Sequence, residues 1–305
     1  MARQVPGLYV PAFYRPRYHE DGTLAEVERL ADVPASVSRL IVPDLSDLPT
    51  ASTILTPDTT FDDTYLIEVS RGCSHGCRFC SAGYVYRPPR FRPFALLDRQ
   101  VDDGCALTDR IGLVGAAVSD LPDIRELCDK DRGREVRFSF SSLRADALDR
   151  PLIEALKKGR VKTATIAPDA GSERMRRVVN KGITEDHVVA AAETLVAADI
   201  PNLKVYFMIG LPTETETDVA AIVDLVKQIK HRFLRTSRGK GHIGDITVSL
   251  SSFVPKPFTP FQWAAMDEVK TLKTKIKMVK TGLKKTANVR VHADVPRWAY
   301  PVSYT

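Results

Sequence analysis

Between residues 64 and 261 the chain alternates short apolar runs of strand length with longer amphipathic stretches of helical period. The pattern predicts six strands, at 64–70, 110–118, 135–142, 161–168, 202–210 and 245–253. It predicts helices at about 94–103, 121–131, 146–158, 172–198 with a break near Lys181 and Gly182, 215–231, and 267–285. Such alternation is typical of repeated βα units around a parallel sheet.

The predicted strands alternate apolar residues with hydroxyl-bearing ones, as Phe138 and Phe140 do with Ser139 and Ser141. If the apolar set packs against the helices, the hydroxyls face inward together. Because a closed eight-stranded barrel fills its interior with branched apolar side chains, we expect an open, partial (β/α)6 barrel with a polar lumen. An antiparallel sheet with one wet face is the alternative, which the long helical crossovers disfavour.

The composition and hydrophobic periodicity of the chain change near residue 60 and again near residue 262. The first 60 residues hold seven of the twenty prolines and show little periodicity, which predicts an extended strap or linker. We expect three regions: the Pro-rich strap at 1–60, the α/β core at 61–262, and a Lys-rich helix and tail at 263–305.

With 305 residues and 44% hydrophobic content, the chain can bury a large core. It has no apolar run near the ~20 residues that span a bilayer and no signal-peptide pattern at its start, so we expect a cytoplasmic protein without a membrane partner. Five cysteines are too few to staple a domain of this size. Metal-ligating thiolates in a reducing compartment are therefore expected.

The net charge of +6 is concentrated in one segment. Residues 270–290 carry seven lysines and one arginine without an acid, and Leu272, Ile276, Val279 and Leu283 recur among them at helical spacing. This pattern predicts a lysine-coated helix with one apolar stripe. A solvated outer helix and a patch for RNA or another polyanion both remain open.

Three of the five cysteines, Cys73, Cys77 and Cys80, form a C-x3-C-x2-C motif directly after the first predicted strand. Thiolates are the usual ligands of iron–sulfur clusters, and a cubane held by three cysteines keeps one iron open. Structural zinc is the alternative and would need a fourth ligand. The candidates for that ligand are His75, Cys105 and Cys128, although both cysteines also suit small buried positions.

The loop CSHGCRFC, with Phe79 before its last cysteine, resembles the signature of the radical S-adenosylmethionine (SAM) superfamily, and the resemblance runs over about 64–261. It implies an enzyme with a [4Fe-4S] cluster on Cys73, Cys77 and Cys80, whose open iron chelates SAM. Reductive cleavage of SAM then yields a 5′-deoxyadenosyl radical that attacks a substrate. The resemblance further implies an electron donor such as flavodoxin or ferredoxin, and it leaves the substrate unknown.

The same resemblance implies SAM contacts at the ends of the predicted strands. A backbone stretch after the second strand would meet the methionine amino group, although it departs from the family's commoner Gly-Gly-Glu. An acid after the fourth strand would bind the ribose, and a turn after the fifth would lie beside the adenine. With the aromatic of the cysteine loop, the implied cofactor-binding residues are Phe79, Gly115, Ala116, Asp169, Ser172, Met208 and Gly210.

Other polar residues at strand ends are candidates for substrate contact. Arg144, Tyr206, Ser251 and Lys256 have no generic role in the implied SAM site. The basic loop after the cysteines would present arginines to an anionic group, namely Arg87, Arg90 and Arg92.

A narrower resemblance connects GLYVPAFY, APDAGSERMRRVVNKGITE and SSFVPKPFTPFQW to bacterial radical SAM proteins that carry an N-terminal cobalamin-binding domain. No cobalamin-type motif is found in this sequence, so cobalamin is not expected within this chain. We expect either a truncated core or a stand-alone protein that uses a cobalamin-domain partner or does without one.

The narrower resemblance implies methylation or another radical modification. Methylthiolation of RNA is the alternative, although methylthiotransferases also need a second cluster and no second cysteine triplet occurs here. A non-catalytic iron–sulfur or zinc module is a further alternative.

Overall fold

A computed structural model describes residues 4–130, 132–133, 135–141, 143–238 and 243–302. Asp131 and Ser142, the last residues of a predicted helix and a predicted strand, lie outside the described residues. The chain divides into two compact units, Met1–Asp44 and Leu45–Thr305. None of the helices in the described ranges combines the length and the apolar character that crossing a bilayer requires.

The small unit contains an antiparallel hairpin of β1 (Tyr14–Tyr18) and β2 (Leu24–Arg29), with an irregular register near Arg17. The guanidinium of Arg17 pairs with Glu28 on the opposite strand at 2.7 Å. The sequence predicts only short elements in this Pro-rich region, and the hairpin is of that size.

The described residues of the large unit form nine strands. Six of them match the predicted set in order and approximate position, two short strands flank the cysteine loop, and the last was not predicted. They are β3 (Tyr65–Glu68), β4 (Ser70–Arg71), β5 (Arg90–Phe91), β6 (Arg110–Val114), β7 (Arg137–Phe140), β8 (Thr163–Asp169), β9 (Asn202–Ile209), β10 (Ile246–Ser252) and β11 (Val289–Ala293).

Helices connect these strands as the sequence predicts, and the predicted long helix at 172–198 is divided in two near Lys181 and Gly182. They are α1 (Phe94–Cys105), α2 (Ile124–Asp129), α3 (Arg150–Lys158), α4 (Glu173–Val178), α5 (Glu185–Ala197), α6 (Glu216–Thr236), α7 (Val269–Leu283) and α8 (Pro296–Val302). Gly182 has φ +71°, which an α-helix excludes and glycine accepts without strain.

The strands form two parallel sheets, in the order β3-β6-β7 and β8-β9-β10-β11. A parallel bridge between Leu143 and Ile166 joins the end of the first sheet to β8. The predicted α/β architecture with an open, partial barrel is therefore confirmed. The unpredicted β11 adds a parallel edge to β10, and the sequence signal for it is weak because Arg290 and His292 interrupt a run of only five residues.

The inner and outer faces of the strands differ as their alternation predicts. In β9 the buried residues are Leu203, Val205, Phe207 and Ile209, which belong to the main hydrophobic core. The intervening residues are only half-buried, as are Thr247, Ser249 and Ser251 in β10. The helices therefore cover one face of the sheet and leave the polar face toward the lumen.

Arg92 anchors the segment that precedes β3. Its side chain is 2% exposed, and its guanidinium donates to the carbonyls of Leu48 and Glu68, to the Thr50 hydroxyl and to the Glu68 carboxylate at 2.7 Å. The expectation that Arg92 faces an anionic ligand is wrong, because its guanidinium N–H groups form hydrogen bonds with other residues of the protein. Residues 50–52 instead run antiparallel to β3 as an added edge.

We predict that Arg92→Met destabilises the large unit by about 3 kcal/mol, because it removes one of the two arginines that pair with the Glu68 carboxylate and leaves two buried carbonyls without their donor. The free energy of unfolding from denaturant titration measures this. Arg90→Met, in the same loop but part-exposed, serves as the matched control and should cost less than about 1 kcal/mol. Equal losses in both variants would contradict the anchoring role.

Candidate functional site

The three cysteines of the motif lie on a loop between β4 and β5, which pair antiparallel and close its base. The loop begins at Gly72, whose φ of +81° suits glycine. A Cβ at this position would lie 2.3 Å from the Tyr86 carbonyl oxygen, so the two ends of the loop approach each other more closely than a side chain permits. The loop follows β3 and the short β4, so it lies near the carboxyl end of the parallel strand β3.

The cysteines differ in exposure. Cys77 is buried, whereas Cys73 and Cys80 are half-buried, and none of the three forms a disulfide. Burial raises the pKa of the Cys77 thiol to about 11, against the opposing field of Lys181, and burial also raises the pKa of Cys73. Ligation to a metal would instead hold these sulfurs as thiolates.

Segment 177–181, which comprises the last two residues of α4 and the three that follow, holds one side of the cysteine loop. The Asn180 amide donates to the Gly76 carbonyl at 2.8 Å, and Arg78 donates from Nη1 to the Val178 carbonyl at 2.6 Å. The Arg78 backbone N–H also donates to the Val179 carbonyl at 2.9 Å. These hydrogen bonds hold the backbone of the loop in place, so the cysteine side chains are not needed for that purpose.

Asp120 holds the other side of the loop. Its carboxylate accepts a hydrogen bond from the Ser74 hydroxyl and lies 3.1 Å from Nε2 of His75. Cys105 and Cys128 are buried in the hydrophobic core on α1 and α2. Within the described ranges, no three His, Cys, Asp or Glu side chains converge on a point where one metal ion would bind. A cubane cluster does not require its ligands to converge on one point, because each cysteine binds a separate iron.

A cavity of about 390 Å³ opens at the carboxyl ends of β8, β9 and β10. It brings together three predicted cofactor residues, Phe79, Asp169 and Met208, and three predicted substrate residues, Tyr206, Ser251 and Lys256. The remaining lining is Ala167, Phe207, Ser252, Phe253 and Val254. The cysteine loop reaches this cavity through Phe79.

Asp169 ends β8 with a left-handed backbone, φ +65°, and is 8% exposed. Its carboxylate lies 2.5 Å from the ammonium of Lys181. Burial raises the pKa of Asp169, and Lys181 and Arg144 act in the opposite direction. Lys181 is thus the group that offsets the cost of a buried carboxylate at the edge of the cavity.

Four predicted cofactor residues do not line this cavity. The Gly115 carbonyl accepts from the Ser141 hydroxyl at 2.9 Å, and Ala116 is exposed. The Ser172 hydroxyl caps α4 by accepting from Met175 N–H and donates to Asp218 at 2.6 Å. Gly210 donates its N–H to Glu214 at 2.7 Å. Their roles in cofactor binding stay predictions.

Two residues of this site, Asn180 and Lys181, were not predicted as functional. The sequence places both at a helix break, where Asn and Gly are ordinary helix-ending residues. Their approach to the cysteine loop depends on the packing of α4 against that loop across about a hundred residues. The Arg144 guanidinium, predicted as a substrate contact, instead pairs with Asp146 at 2.7 Å and donates to the Lys181 carbonyl.

The sequence matches a protein-family model and several curated proteins. The model of the radical SAM superfamily matches residues 67–226, slightly more than half of the chain. An uncharacterized protein of Methanocaldococcus jannaschii is 36% identical over 227 residues, which cover 74% of this chain and 48% of that protein.

A tRNA-2-methylthio-N(6)-dimethylallyladenosine synthase of Chloroherpeton thalassium is 25% identical over 242 residues, covering 70% of this chain and 53% of the relative. The chain thus spans about half the length of these curated relatives. The crystal structure of Streptococcus suis SuiB bound to S-adenosylmethionine superposes with a TM-score of 0.55 at 13% identity, covering 75% of this chain and 50% of SuiB. At that identity the likeness shows a shared fold.

We predict that Asn180→Ala lowers the iron retained after anaerobic reconstitution, because the Gly76 carbonyl loses its donor and the loop loosens. Asn288→Ala is the matched control, since both asparagines are exposed and both have φ of +56°. The two changes therefore carry the same backbone strain, about 1 kcal/mol. Iron and sulfide per chain, and the rate of iron loss to a chelator, measure the difference. Equal retention in the two variants would count against the tether.

Proposed function

The chain belongs to the radical SAM superfamily of enzymes, and we propose that its cavity is the place where SAM and a substrate meet for radical modification of that substrate. The observation that carries this proposal is the cavity itself. It joins Phe79 of the cysteine loop to Asp169 and Met208 at the strand ends, so the aromatic beside the cluster ligands borders the same space as the residues implied for ribose and adenine. Membership in the superfamily implies a [4Fe-4S] cluster and SAM as cofactors.

The donor set of the loop fits such a cluster. Cys73, Cys77 and Cys80 offer three soft sulfurs on a loop held on two sides by Asn180 and Asp120, and the other two cysteines of the sequence are buried on α1 and α2. When bound, the cluster supplies the electron that cleaves SAM reductively to a 5′-deoxyadenosyl radical. The protein's part is to hold the sulfurs apart, to orient SAM and to exclude water.

Asp169 and Lys181 would orient SAM. A carboxylate kept charged by its ion pair accepts hydrogen bonds from the two ribose hydroxyls, and its burial makes those bonds stronger than they would be in water. Met208 and the backbone of 209–211 would lie along the adenine. Lys181 also lies close enough to Cys77 to lower its thiol pKa, so its charge favours the thiolate that ligation requires.

The polar lumen is the proposed place for the substrate. Tyr206 and Lys204 project from β9, with the Lys204 ammonium 4.8 Å from the centre of the Tyr206 ring. Ser251 and Lys256 border the cavity at the end of β10. A hydroxyl-lined space with two cations suits a polar or anionic group more than a purely apolar one. Methylation or a related radical transfer is the reaction class we propose, with an electron donor such as flavodoxin or ferredoxin and without cobalamin held by this chain.

Methylthiolation is the second candidate, and the likeness to a tRNA methylthiotransferase favours it. That chemistry draws its sulfur from a second cluster. Cys105 and Cys128, the two further cysteines of this sequence, are buried on separate helices, so this chain does not build such a cluster from its own cysteines. Product analysis distinguishes the candidates by the mass added to the substrate.

We predict that Cys77→Ala abolishes both the cluster and the formation of 5′-deoxyadenosine, because two sulfurs cannot hold a cubane against loss of iron. The assay reconstitutes the protein anaerobically, measures about four irons per chain and the brown absorbance, and quantifies 5′-deoxyadenosine after dithionite.

Cys105→Ala is the control for this experiment, since it changes a buried cysteine away from the loop and should spare both readouts. A colourless wild-type protein that binds zinc, or loss of the cluster in Cys105→Ala, would overturn the ligand assignment.

We predict that Asp169→Asn weakens SAM binding by about 10- to 100-fold, as expected from losing 1.5–3 kcal/mol of charge-assisted hydrogen bonding. Equilibrium dialysis on the reconstituted protein gives the Kd. Asp199→Asn is the matched control because Asp199 has nearly the same backbone, φ +64° against +65°, and is remote from the cavity lining. An unchanged Kd for Asp169→Asn would remove Asp169 from the SAM site.

A further inference from the structure

α7 presents a row of lysines to solvent. Lys270, Lys273, Lys277, Lys280 and Lys284 are all exposed and follow one another at intervals of three and four residues. Because this spacing keeps side chains on one face of a helix, the five ammonium groups form a single lysine row. Lys284 belongs to it because its backbone is still helical at the C-cap. The row is about 21 Å long, and its neighbours are about 5–6 Å apart.

The charges of the lysine row are not balanced by nearby acids. Residues 269–288 contain no Asp or Glu, whereas α1, α3 and α6 each carry both signs. In the described part of the chain, Lys275 is the α7 lysine that enters ion pairs, with Glu214 at 2.8 Å and Asp267 at 2.7 Å, and it faces inward. Like charges at this spacing repel by a few tenths of a kcal/mol per pair, so the row is an unfavourable arrangement unless an anion covers it.

The opposite face of α7 argues against insertion into a membrane surface. Leu272, Ile276, Val279 and Leu283 are buried in the main core. A helix that binds a lipid surface inserts its apolar face among the acyl chains, but the apolar face of α7 is already packed in the protein core. What remains outside is a linear cationic strip.

The lysine row begins beside the candidate site. Leu272, in the first turns of α7, packs against the end of β9, since a Cβ on Gly210 would lie 2.7 Å from its Cδ2 atom. Met208, two residues earlier in β9, lines the cavity. The row therefore runs from the edge of the cavity along the outside of the barrel.

Exposed aromatic rings accompany the row. Trp263 is 89% exposed and Phe258 is 76% exposed in the loop that joins β10 to α7. Trp298, 69% exposed, lies on α8, which contacts α7. Large exposed aromatics beside unpaired cations are the combination that binds single-stranded nucleic acid, because bases stack on rings while phosphates take the lysines. An acidic protein surface would use the lysines and leave the rings in water.

We propose that the lysine row binds the phosphate backbone of an RNA substrate and directs one of its nucleotides toward the cavity. The proposal rests on the proposed function, because it names the substrate class for the same site. The phosphates neutralise the repulsion along α7, and Trp263, in the loop between β10 and α7, supplies a stacking surface.

The test compares two double charge reversals in the reconstituted protein. Lys277→Glu with Lys280→Glu changes the middle of the row, and Lys157→Glu with Lys162→Glu changes exposed lysines at the end of α3 and just before β8. Each pair lowers the net charge by the same four units, from +6 to +2. The probe is a fluorescein-labelled single-stranded oligoribonucleotide, with fluorescence anisotropy giving the Kd over a series of salt concentrations.

We expect the row variant to bind RNA about 10-fold or more weakly at about 0.1 M salt, and its plot of log K against log salt to be less steep by about 1.4. The control variant should change the Kd by less than about threefold, since charges beyond about 10 Å are screened. RNA should also quench the fluorescence of Trp263 in a Trp298→Phe background.

Equal loss in the two variants would overturn the proposal. So would competition by poly-glutamate, or binding to anionic lipid vesicles, as strong as that of RNA. Formation of 5′-deoxyadenosine is measured in the same preparations and should be unchanged in both variants. If RNA binding fails while SAM cleavage persists, the lysine row is not a substrate surface and the proposed function stands. If SAM cleavage fails while RNA binding persists, the proposed function is the part that falls.

Discussion

The hydrogen bonds between the cysteine loop and segment 177–181 are the contacts on which the candidate site depends. Asn180 and Gly76 are 104 positions apart, so this tether closes a loop that spans most of the first barrel sheet. A loop rich in thiols has few side chains of its own that can fix its backbone, and its carbonyls must find donors elsewhere. Asn180 and Arg78 provide the pairing on one side, and the Asp120 carboxylate holds Ser74 and His75 on the other.

Arg176, the residue just before this segment, fixes the backbone around the charged pair at the edge of the cavity. Arg176 is 1% exposed and donates to the carbonyls of Ala170, Gly171 and Ile183. It therefore joins the chain just after Asp169 to the chain just after Lys181, and this keeps the carboxylate and the ammonium opposite each other. A buried carboxylate is costly alone, and the pair is stabilising only while that geometry is held. The fixed backbone around Arg176 thus has a direct consequence for the charge that borders the cavity.

Much of this architecture follows from the sequence because its signals are local. The six predicted strands rest on alternation within seven to nine residues, and the cysteine motif rests on spacing within eight. β11 was missed because Arg290 and His292 occupy its more exposed positions, and its pairing with β10 comes from tertiary contact. Tertiary contacts also explain why two other roles were not predicted. The burial of Arg92 cannot be inferred from its place in a basic loop, and Lys181 is separated from its partner Asp169 by a helix.

The packing of α7 and its surface charge depend on different residues of the helix. Its first turn has no acid, and Glu268 at its N-cap makes no side-chain capping bond, so Lys270 and Lys273 lie where the helix dipole disfavours cations. Its stability comes instead from Leu272, Ile276, Val279 and Leu283, which pack in the core. Replacing exposed lysines with glutamates would reduce the repulsion without touching that core. The packing of α7 is accounted for by its apolar face without the lysine row, which agrees with the proposal that the row acts in binding.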